Sequence, residues 1–360
     1  MLLTLSAALL FTAAAAPPPP TLASVPTRDS KVVHRWALPG DPHGLALGSD
    51  GTIYVGLAQT QEVIAIDPKS GAIRKRVVLD SAEIAATKEL VTLRTNAAGT
   101  RLYIANGSDE SATILSLPDL GVIREITTEG EAIRDALPDP KGRYLYLLGR
   151  RVHVYDADGK TELHTLPFDD PTAIAASASG SALAVIGPEN FGNTKATVVA
   201  LYDTATFNET AREPLQTDQL IEAAMFGAGD RALIAFSREH LYEKPLVTAA
   251  APKSMTSSSN GAMRMTIDFG DLVSSQRICL PENSGPQIGA MATSDLLLFA
   301  EKRCSSSGAF AGSSRRVTPA SLYGVSAYAV AYERESNTLL VTDRAGFLTV
   351  YRVPKPPVVR

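Results

Sequence analysis

Residues 43–79, HGLALGSDGTIYVGLAQTQEVIAIDPKSGAIRKRVVL, contain four short apolar or alternating segments separated by turn residues. Gly51 suits the tight turn between the first two segments, because glycine takes a positive φ without a Cβ clash. Residues 67–71 (DPKSG) suit the last turn, since proline presets one φ and glycine supplies the other. We expect strands at residues 44–47, 52–57, 62–66 and 73–79. One sheet of this size cannot bury both faces, so the segment predicts further copies of itself.

The turn between the first two strands recurs along the chain. It begins at Gly51, Gly99, Gly142, Gly180 and Gly229, and in degenerate form at Asp295 and Asn337. Most of these seven hairpins are about 40 to 50 residues apart, which is the period of a four-stranded propeller blade. The longest interval contains a Ser- and Ala-rich stretch, residues 246–262, that we interpret as an inserted loop. The repeats predict an all-β fold: a seven-bladed β-propeller of four-stranded antiparallel blades.

The last repeat provides only three strands, at residues 326–332, 338–342 and 347–353. A further strand, residues 31–38 (KVVHRWAL), precedes the first repeat and has no place there. We expect this N-terminal strand to form the outer edge of the seventh blade, which would close the ring and cover an open sheet edge. Residues 31–354 then form a single propeller domain, followed by a C-terminal tail at 355–360.

The N-terminus is typical of an exported protein. Residues 2–16 are apolar and rich in Leu and Ala, and four prolines follow at 17–20. This run is short for a membrane span, which needs about 20 residues, and it fits a signal peptide. We predict a signal peptide at 1–23, a disordered Pro-rich linker at 24–30, and a periplasmic or secreted protein without a membrane span in the mature chain. A retained N-terminal anchor is the alternative.

The net charge of −4 argues against nucleic acid, whose binding needs a concentrated basic face. The sequence contains no G-x-S-x-G, H-E-x-x-H, C-x-x-C, C-x-x-C-H or G-x-G-x-x-G motif. We therefore expect no cofactor and no metal, and a monomer that acts without them.

Two motifs carry a family resemblance. The run Pro42-His43-Gly44-Leu45-Ala46 before a D-G-T turn, and the hairpin that starts at Ile64-Ala65-Ile66-Asp67, are similar to those of YVTN-type and NHL-like bacterial β-propellers. The resemblance covers about residues 31–354 and implies a fold rather than an activity. Such propellers include periplasmic binding or scaffold proteins, sugar lactonases, a streptogramin-type lyase and subunits of quinone amine dehydrogenases. The Gly-His and Trp-Asp dipeptides of WD-repeat propellers are missing.

Counting back from each turn aligns the starts of the innermost strands, which should surround the mouth of a central channel. The polar residues at the aligned positions are His43, Arg134, Asp135, Thr172, Glu222, Gln287 and Tyr328. A ring of cations and carboxylates of this kind could bind a small polar ligand or an anion. The alternative is that these groups line a wet channel and satisfy one another through water.

Three functions remain open. The one we favour is an exported, non-enzymatic propeller that binds a small polar ligand or an envelope protein at its channel mouth. The second is a hydrolase or lyase acting on a lactone or cyclic ester, with His43, Arg134 and Glu222 as its machinery. The third is a propeller subunit of a periplasmic redox complex, whose cofactor would reside in a partner chain.

The chain has two cysteines, Cys279 and Cys304. An oxidising compartment would favour a disulfide between them. We expect Cys279 near the end of the outer strand of the fifth blade and Cys304 just after the second strand of the sixth, so that both lie near one rim. Two free thiols are the alternative.

Overall fold

The computed structural model describes residues 19–27, 32–79, 88–191, 194–215, 220–226, 230, 232–237, 241–245, 275–279, 290–292, 297–301, 327–333, 336, 338–343 and 345–352. All regular elements assigned in these residues are β-strands. Among them, no helix is long and apolar enough to cross a membrane. The all-β prediction is therefore confirmed.

The strands form seven sheets, numbered here in chain order after a first strand, β1, at Val32–Ala37. Sheet 1 comprises Pro42–Leu47 (β2), Ile53–Leu57 (β3), Glu62–Ile66 (β4) and Ile73–Val78 (β5). Sheet 2 comprises Thr92–Thr95 (β6), Arg101–Ala105 (β7), Ser111–Ser116 (β8) and Val122–Thr127 (β9). Sheet 3 comprises Asp135–Pro138 (β10), Tyr144–Leu148 (β11), Val152–Asp156 (β12) and Glu162–Leu166 (β13). Sheet 4 comprises Ala173–Ala176 (β14), Ala182–Phe191 (β15), Thr194–Asp203 (β16) and Glu209–Pro214 (β17).

The remaining sheets contain the later strands. Sheet 5 comprises Ile221–Phe226 (β18), Ala232–Ser237 (β19) and Leu241–Pro245 (β20). Sheet 6 comprises Ser275–Cys279 (β21), Ala290–Ala292 (β22) and Leu297–Glu301 (β23), in the order β21-β23-β22. Sheet 7 comprises Ala327–Glu333 (β24), Thr338–Asp343 (β25) and Phe347–Arg352 (β26), with β1 at its edge. Four-stranded antiparallel sheets, as predicted, are thus present in sheets 1–4 and 7, whereas sheets 5 and 6 have three strands among the described residues.

The N-terminal strand lies at the edge predicted for it. β1 pairs antiparallel with β26, from Val32 opposite Tyr351 to Ala37 opposite Phe347. Sheet 7 is therefore assembled from both ends of the chain.

The placement of β21 differs from the sequence prediction. We expected the strand that carries Cys279 to be the outer strand of the fifth blade, but β21 pairs in parallel with β23 of sheet 6, with Cys279 opposite Glu301. Residues 246–274 separate β21 from β20, so no short hairpin ties it to sheet 5. A long connection adds little to the entropic cost of closure, and parallel strands need one.

Residues 20–25, which we call the strap, are another departure from prediction. We expected the end of a signal peptide and the start of a disordered linker, but the backbone of this segment is paired on two sides. Leu22 N–H donates to the Gly71 carbonyl at 2.9 Å in sheet 1, and Val25 N–H donates to the Arg35 carbonyl at 2.8 Å in β1. Edge groups that β1 would otherwise leave open are satisfied in this way.

The apolar core lies between neighbouring sheets. Distinct clusters of buried side chains fill the seams between sheets 7 and 1, 1 and 2, 2 and 3, 3 and 4, and 4 and 5. Tyr54, Tyr103 and Tyr146, at second-strand positions, are almost fully buried in these seams. Trp36 of β1 is buried in the seam between sheets 7 and 1 together with Leu22 of the strap.

One strand of each sheet, called its inner strand here, contacts the corresponding strand of the next sheet. β2 contacts β6, β6 contacts β10, β10 contacts β14, and β14 contacts β18. β22 contacts both β18 and β24, and β24 contacts β2. These inner strands therefore position the polar residues at their starts with respect to one another.

Candidate functional site

The aligned residues at the starts of the inner strands lie at β-bulges. Arg134 N–H donates to the Leu148 carbonyl at 2.8 Å, while the next residue, Asp135, is the cross-strand partner of the same Leu148. Thr172 shows the same arrangement with Ile186, to whose carbonyl it donates at 2.6 Å. A bulge sets two consecutive residues against one partner and redirects their side chains. The consecutive residues Arg134 and Asp135 thus both lie where the inner strands start. We call this side of the sheets the mouth.

Two further sheets carry irregular register at the same position. The pairing of β18 with β19 shifts between Ile221 and Ala223, and the pairing of β24 with β25 shifts between Ala327 and Ala329. Glu222 and Tyr328 lie in these shifts, so their backbones are at the predicted position. Their side chains, and Gln287 altogether, lie outside the described part of the structure.

Arg134 is held by backbone carbonyls of two sheets. Its Nη2 donates to the Gly149 carbonyl at 2.7 Å, in the turn between β11 and β12, and to the Pro171 carbonyl at 2.5 Å, just before β14. Desolvation lowers the pKa of Arg134 and outweighs the attraction of Asp170, but a guanidinium remains charged at any physiological pH. Within the described residues no carboxylate lies within 4.0 Å of this guanidinium. Arg134 is nevertheless exposed to solvent.

Asp135 pairs with Arg94 of sheet 2 and not with its neighbour Arg134. Arg94 Nε lies 2.8 Å from Asp135 Oδ1 and Arg94 Nη2 lies 2.7 Å from Oδ2, which is a bidentate pair. Thr92 Oγ1 also donates to Asp135 Oδ1 at 3.2 Å. The Asp135 carboxylate therefore links β10 to β6. The role of Asp135 in ligand binding stays a prediction.

His43 and Thr172 are also engaged within the protein. His43 is buried, and its Nε2 lies 3.0 Å from Asp41 Oδ2. Its carbonyl accepts a hydrogen bond of 3.2 Å from Thr342 Oγ1 in sheet 7. Thr172 Oγ1 donates to the Ile186 carbonyl at 3.4 Å. Arg134 and Thr172 come together through Pro171, whereas no contact is described between His43 and Arg134.

Sequence reasoning missed Arg94 and Asp41. Arg94 is a charged residue inside the short inner strand β6, where 42% of its side chain is exposed although its partner is buried. A charge at a position that should pack between sheets could have signalled a water-filled channel. Asp41 precedes the aligned positions and carries no repeat signal.

Within the described residues, no group of three or more His, Cys, Asp and Glu side chains could hold a metal ion. Cys279 ends β21 opposite Glu301, three residues before Cys304, but Cys304 lies outside the described residues. The disulfide therefore stays a prediction, and two alkylatable thiols in the folded, unreduced protein would contradict it.

Solved structures establish the class of protein to which this chain is similar. A chain of the mitotic checkpoint complex matches with a TM-score of 0.57 and 15% identity, over 98% of this chain and 100% of that one. The β-propeller domain of Cps50 (Swd1) from Myceliophteria thermophila matches with a TM-score of 0.59 and 13% identity, over 94% of this chain and 100% of that one. At these identities the likeness concerns the fold alone: the chain is a β-propeller.

Hydrazine synthase from Kuenenia stuttgartiensis also matches, with a TM-score of 0.47 and 16% identity over 55% of this chain. The chain spans about half of that protein, since 55% of its length is covered. No protein-family model matches the chain, and no curated protein is similar to it. The resemblance to YVTN-type and NHL-like propellers stays a prediction.

Proposed function

We propose that the chain is an exported binding protein: a single seven-bladed propeller, closed by β1, that binds a small polar ligand or a partner protein at its channel mouth. The circular sequence of contacts among the seven inner strands supports this ring, as does the pairing of β1 with β26. The apolar N-terminal run supports export. The protein acts as a monomer and without a cofactor.

The observation that carries the binding role is the contrast between two arginines of neighbouring sheets. Arg94 lies within β6 and is neutralised by a bidentate carboxylate, whereas Arg134 immediately precedes β10 and is held by two carbonyls. A guanidinium fixed in this way keeps a full charge and is exposed to solvent. Its natural ligand is a carboxylate or phosphate, which a guanidinium binds through paired hydrogen bonds.

The two arginines provide the test. We would titrate the protein with succinate, gluconate and inorganic phosphate by isothermal calorimetry, and repeat the titrations with Arg134→Gln and Arg94→Gln. A charge-assisted hydrogen bond is worth about 1.5–3 kcal/mol, so Arg134→Gln should weaken binding about tenfold or more. Arg94→Gln should lower the melting temperature, because it leaves Asp135 buried without its partner, and should leave binding by the folded protein within about twofold.

The opposite pattern would contradict the proposal. If Arg134→Gln lowers the melting temperature and leaves every titration unchanged, Arg134 is a structural residue that fastens sheets 3 and 4. The mouth is then a wet channel whose polar groups serve one another.

A second candidate function, lactone hydrolysis, is favoured by one observation. The Asp41 carboxylate lies 3.0 Å from His43 Nε2, an arrangement that can orient an imidazole as a base. A panel of lactones, assayed with and without divalent metal, separates the two functions. Turnover that disappears in both His43→Gln and Glu222→Ala would replace the binding proposal. The redox-subunit alternative gains no support from any described contact.

A further inference from the structure

Two strands of sheet 4 are longer than their counterparts. β15 and β16 have ten residues each, whereas the corresponding strands of sheets 1–3 have five or six. β14 stops pairing with β15 at Ile186, and β17 stops pairing with β16 at Val198, but β15 and β16 remain paired up to Phe191 and Thr194. Residues 188–191 and 194–197, which we call the arm, thus extend beyond the sheet by about 13 Å at about 3.3 Å per residue.

The arm rises from the mouth. β14 begins at the mouth, and β15 runs antiparallel to it, so β15 ends at the mouth side of sheet 4. The base of the arm is tightly packed there: a Cβ on Gly187 would lie 2.9 Å from Pro171 Cα and 3.0 Å from the Asp170 carbonyl oxygen. Arg212 of β17 forms an ion pair with Glu189 of the arm, and its guanidinium also bonds Glu209. These contacts fix the direction of the arm and neutralise its acidic residue.

One edge of the arm has open backbone groups that face the mouth. The Ile186 carbonyl points toward β14, since it accepts the Thr172 N–H. Backbone groups of alternate residues in a strand point the same way. The Pro188 carbonyl and both backbone groups of Asn190 therefore point to the side where β14 has ended, and both residues are exposed. Within the described residues no strand pairs with this edge.

Pro188 limits what the edge can bind. Proline has no N–H, and on the edge strands of native proteins it limits pairing with strands of other molecules. The edge keeps two acceptors and one donor, enough for a short extended segment and too few for a long strand.

The charge at the foot of the edge identifies that segment further. Pro171 contacts the arm at Gly187, and its carbonyl accepts the Arg134 Nη2 hydrogen. A segment on the edge would therefore start beside the Arg134 guanidinium, which has no carboxylate within 4.0 Å among the described residues. An acidic side chain at that place is complementary in charge.

We propose that the arm binds an extended segment of a partner protein by β-strand addition, with an Asp or Glu of that segment on Arg134. This deepens the function proposed above and rests on it, because it names the partner of the same site. In this mode, backbone hydrogen bonds provide affinity and the side-chain contact provides specificity.

The probe is a synthetic library of eight-residue peptides, each with one Glu among Thr, Val and Ser residues, and the same library with N-methylated backbones. Binding to the full chain is measured by fluorescence anisotropy. We expect saturable binding by some of the Glu peptides and a loss of at least tenfold on N-methylation, because N-methyl groups remove backbone donors and retain the carboxylate. Arg134→Gln should also weaken binding at least tenfold.

Substitutions at one position separate backbone from side chain. Asn190→Pro removes the outward donor and no hydrogen bond between β15 and β16, and should weaken peptide binding at least tenfold. Asn190→Ala keeps that donor and should bind within twofold of the wild type. Pro188→Ala adds a second donor to the edge and should strengthen binding.

The two proposals fail differently. If N-methylated peptides and Asn190→Pro bind normally while Arg134→Gln does not, the anion site stands and strand addition is wrong. If no peptide binds but the small anions do, the same conclusion follows. If the protein alone has the mass of a dimer that Asn190→Pro dissociates, the edge pairs with a second copy and the proposed partner is wrong.

Discussion

The seam between sheets 3 and 4 and the seam between sheets 7 and 1 are stabilised by different contacts. Between sheets 3 and 4, which follow each other in the chain, the Arg143 side chain bonds Asp139 and reaches Thr204 Oγ1 at 3.1 Å. Between sheets 7 and 1, the fastening is backbone pairing: β1 completes sheet 7 and the strap hydrogen-bonds both β1 and sheet 1. Sheet 7 joins strands from the two ends of the chain. Its formation closes nearly the whole chain into a loop, which has an entropic cost. A ladder of hydrogen bonds over a buried tryptophan opposes that entropic cost. Between sheets 3 and 4 the chain is continuous, and the Arg143 side chain adds polar contacts to the apolar cluster that fills this seam.

The largest effect is expected at the seam between sheets 7 and 1. Trp36 is 3% exposed and lies among the apolar side chains of this seam. Trp36→Ala should lower the free energy of unfolding by about 3–5 kcal/mol, because it removes buried area and leaves a cavity. Urea unfolding followed by circular dichroism measures the change.

The control for Trp36 is on the same strand. Val33 is 37% exposed, and Val33→Ala should change the free energy of unfolding by less than about 0.5 kcal/mol. If the two substitutions cost the same, β1 contributes through its backbone alone and the seam is not held by apolar burial.

The strap should contribute less than β1 to the same seam. Leu22 is 7% exposed and packs in the cluster that contains Trp36. In the full-length chain, with the N-terminal run still attached, Leu22→Ala should cost about 2 kcal/mol, at the low end for a buried leucine, because the strap can shift toward the gap. The exposed Thr21→Ala is the matched control and should cost less than about 0.5 kcal/mol. An equal, negligible cost for both would mean that the strap is detached in solution, as the predicted linker would be.

At the seam between sheets 3 and 4 we expect a smaller cost from a single side chain. Arg143→Ala removes the partner of the buried Asp139 carboxylate, and should cost about 1–2 kcal/mol. Arg151 forms an exposed pair with Asp169 on the same sheet, and Arg151→Ala should cost at most a few tenths of a kcal/mol. Equal costs would show that the Arg143 side chain contributes no more than a surface ion pair.

The sequence predicts the repeats well because each hairpin turn is a local requirement. Gly51, Gly99, Gly142 and Gly180 all have a positive φ at the turn, as expected. In the fifth repeat Asp230, which follows the predicted turn glycine in the sequence, has a positive φ. Aspartate tolerates this conformation, and its carboxylate there accepts hydrogen bonds from the backbone of the neighbouring sheet.

The site could be predicted only in part. Counting from the turns locates Arg134 and Asp135 at the mouth, because strand length is regular. It does not locate their partners, since Arg94 is 41 residues from Asp135 and meets it only through the packing of sheets 2 and 3.

The strap was missed for a related reason. Its proline-rich context suggests disorder, and only the open edge of β1 and the pocket beside Trp36 give it a place.

The smallest expected effect is a change of the free energy of unfolding with pH, which distinguishes ionisable contacts from apolar ones. His153 of β12 lies between two carboxylates, with Nδ1 2.8 Å from Glu162 Oε1 and Nε2 3.1 Å from Glu131 Oε2. Burial alone lowers the pKa of His153, but the hydrogen bonds to Glu162 and Glu131 outweigh it and the pKa is raised above 6.5. A raised folded-state pKa stabilises the fold fully below the unfolded value of about 6.5, and the contribution is lost as pH rises through the folded value. The pKa values of Glu131 and Glu162 are lowered, because hydrogen bonds outweigh burial, so their contribution is lost in acid.

The cluster should therefore stabilise sheet 3 most between about pH 5 and 6.5. We expect the free energy of unfolding of the wild type to fall between pH 6 and pH 9 by up to about 1 kcal/mol more than that of His153→Gln, which has no charge to lose. The difference between wild type and Trp36→Ala should stay constant over the same range, because the seam between sheets 7 and 1 is apolar. The prediction is wrong if the difference in unfolding free energy between wild type and Trp36→Ala changes with pH. It is also wrong if His153→Gln and the wild type lose the same stability between pH 6 and pH 9.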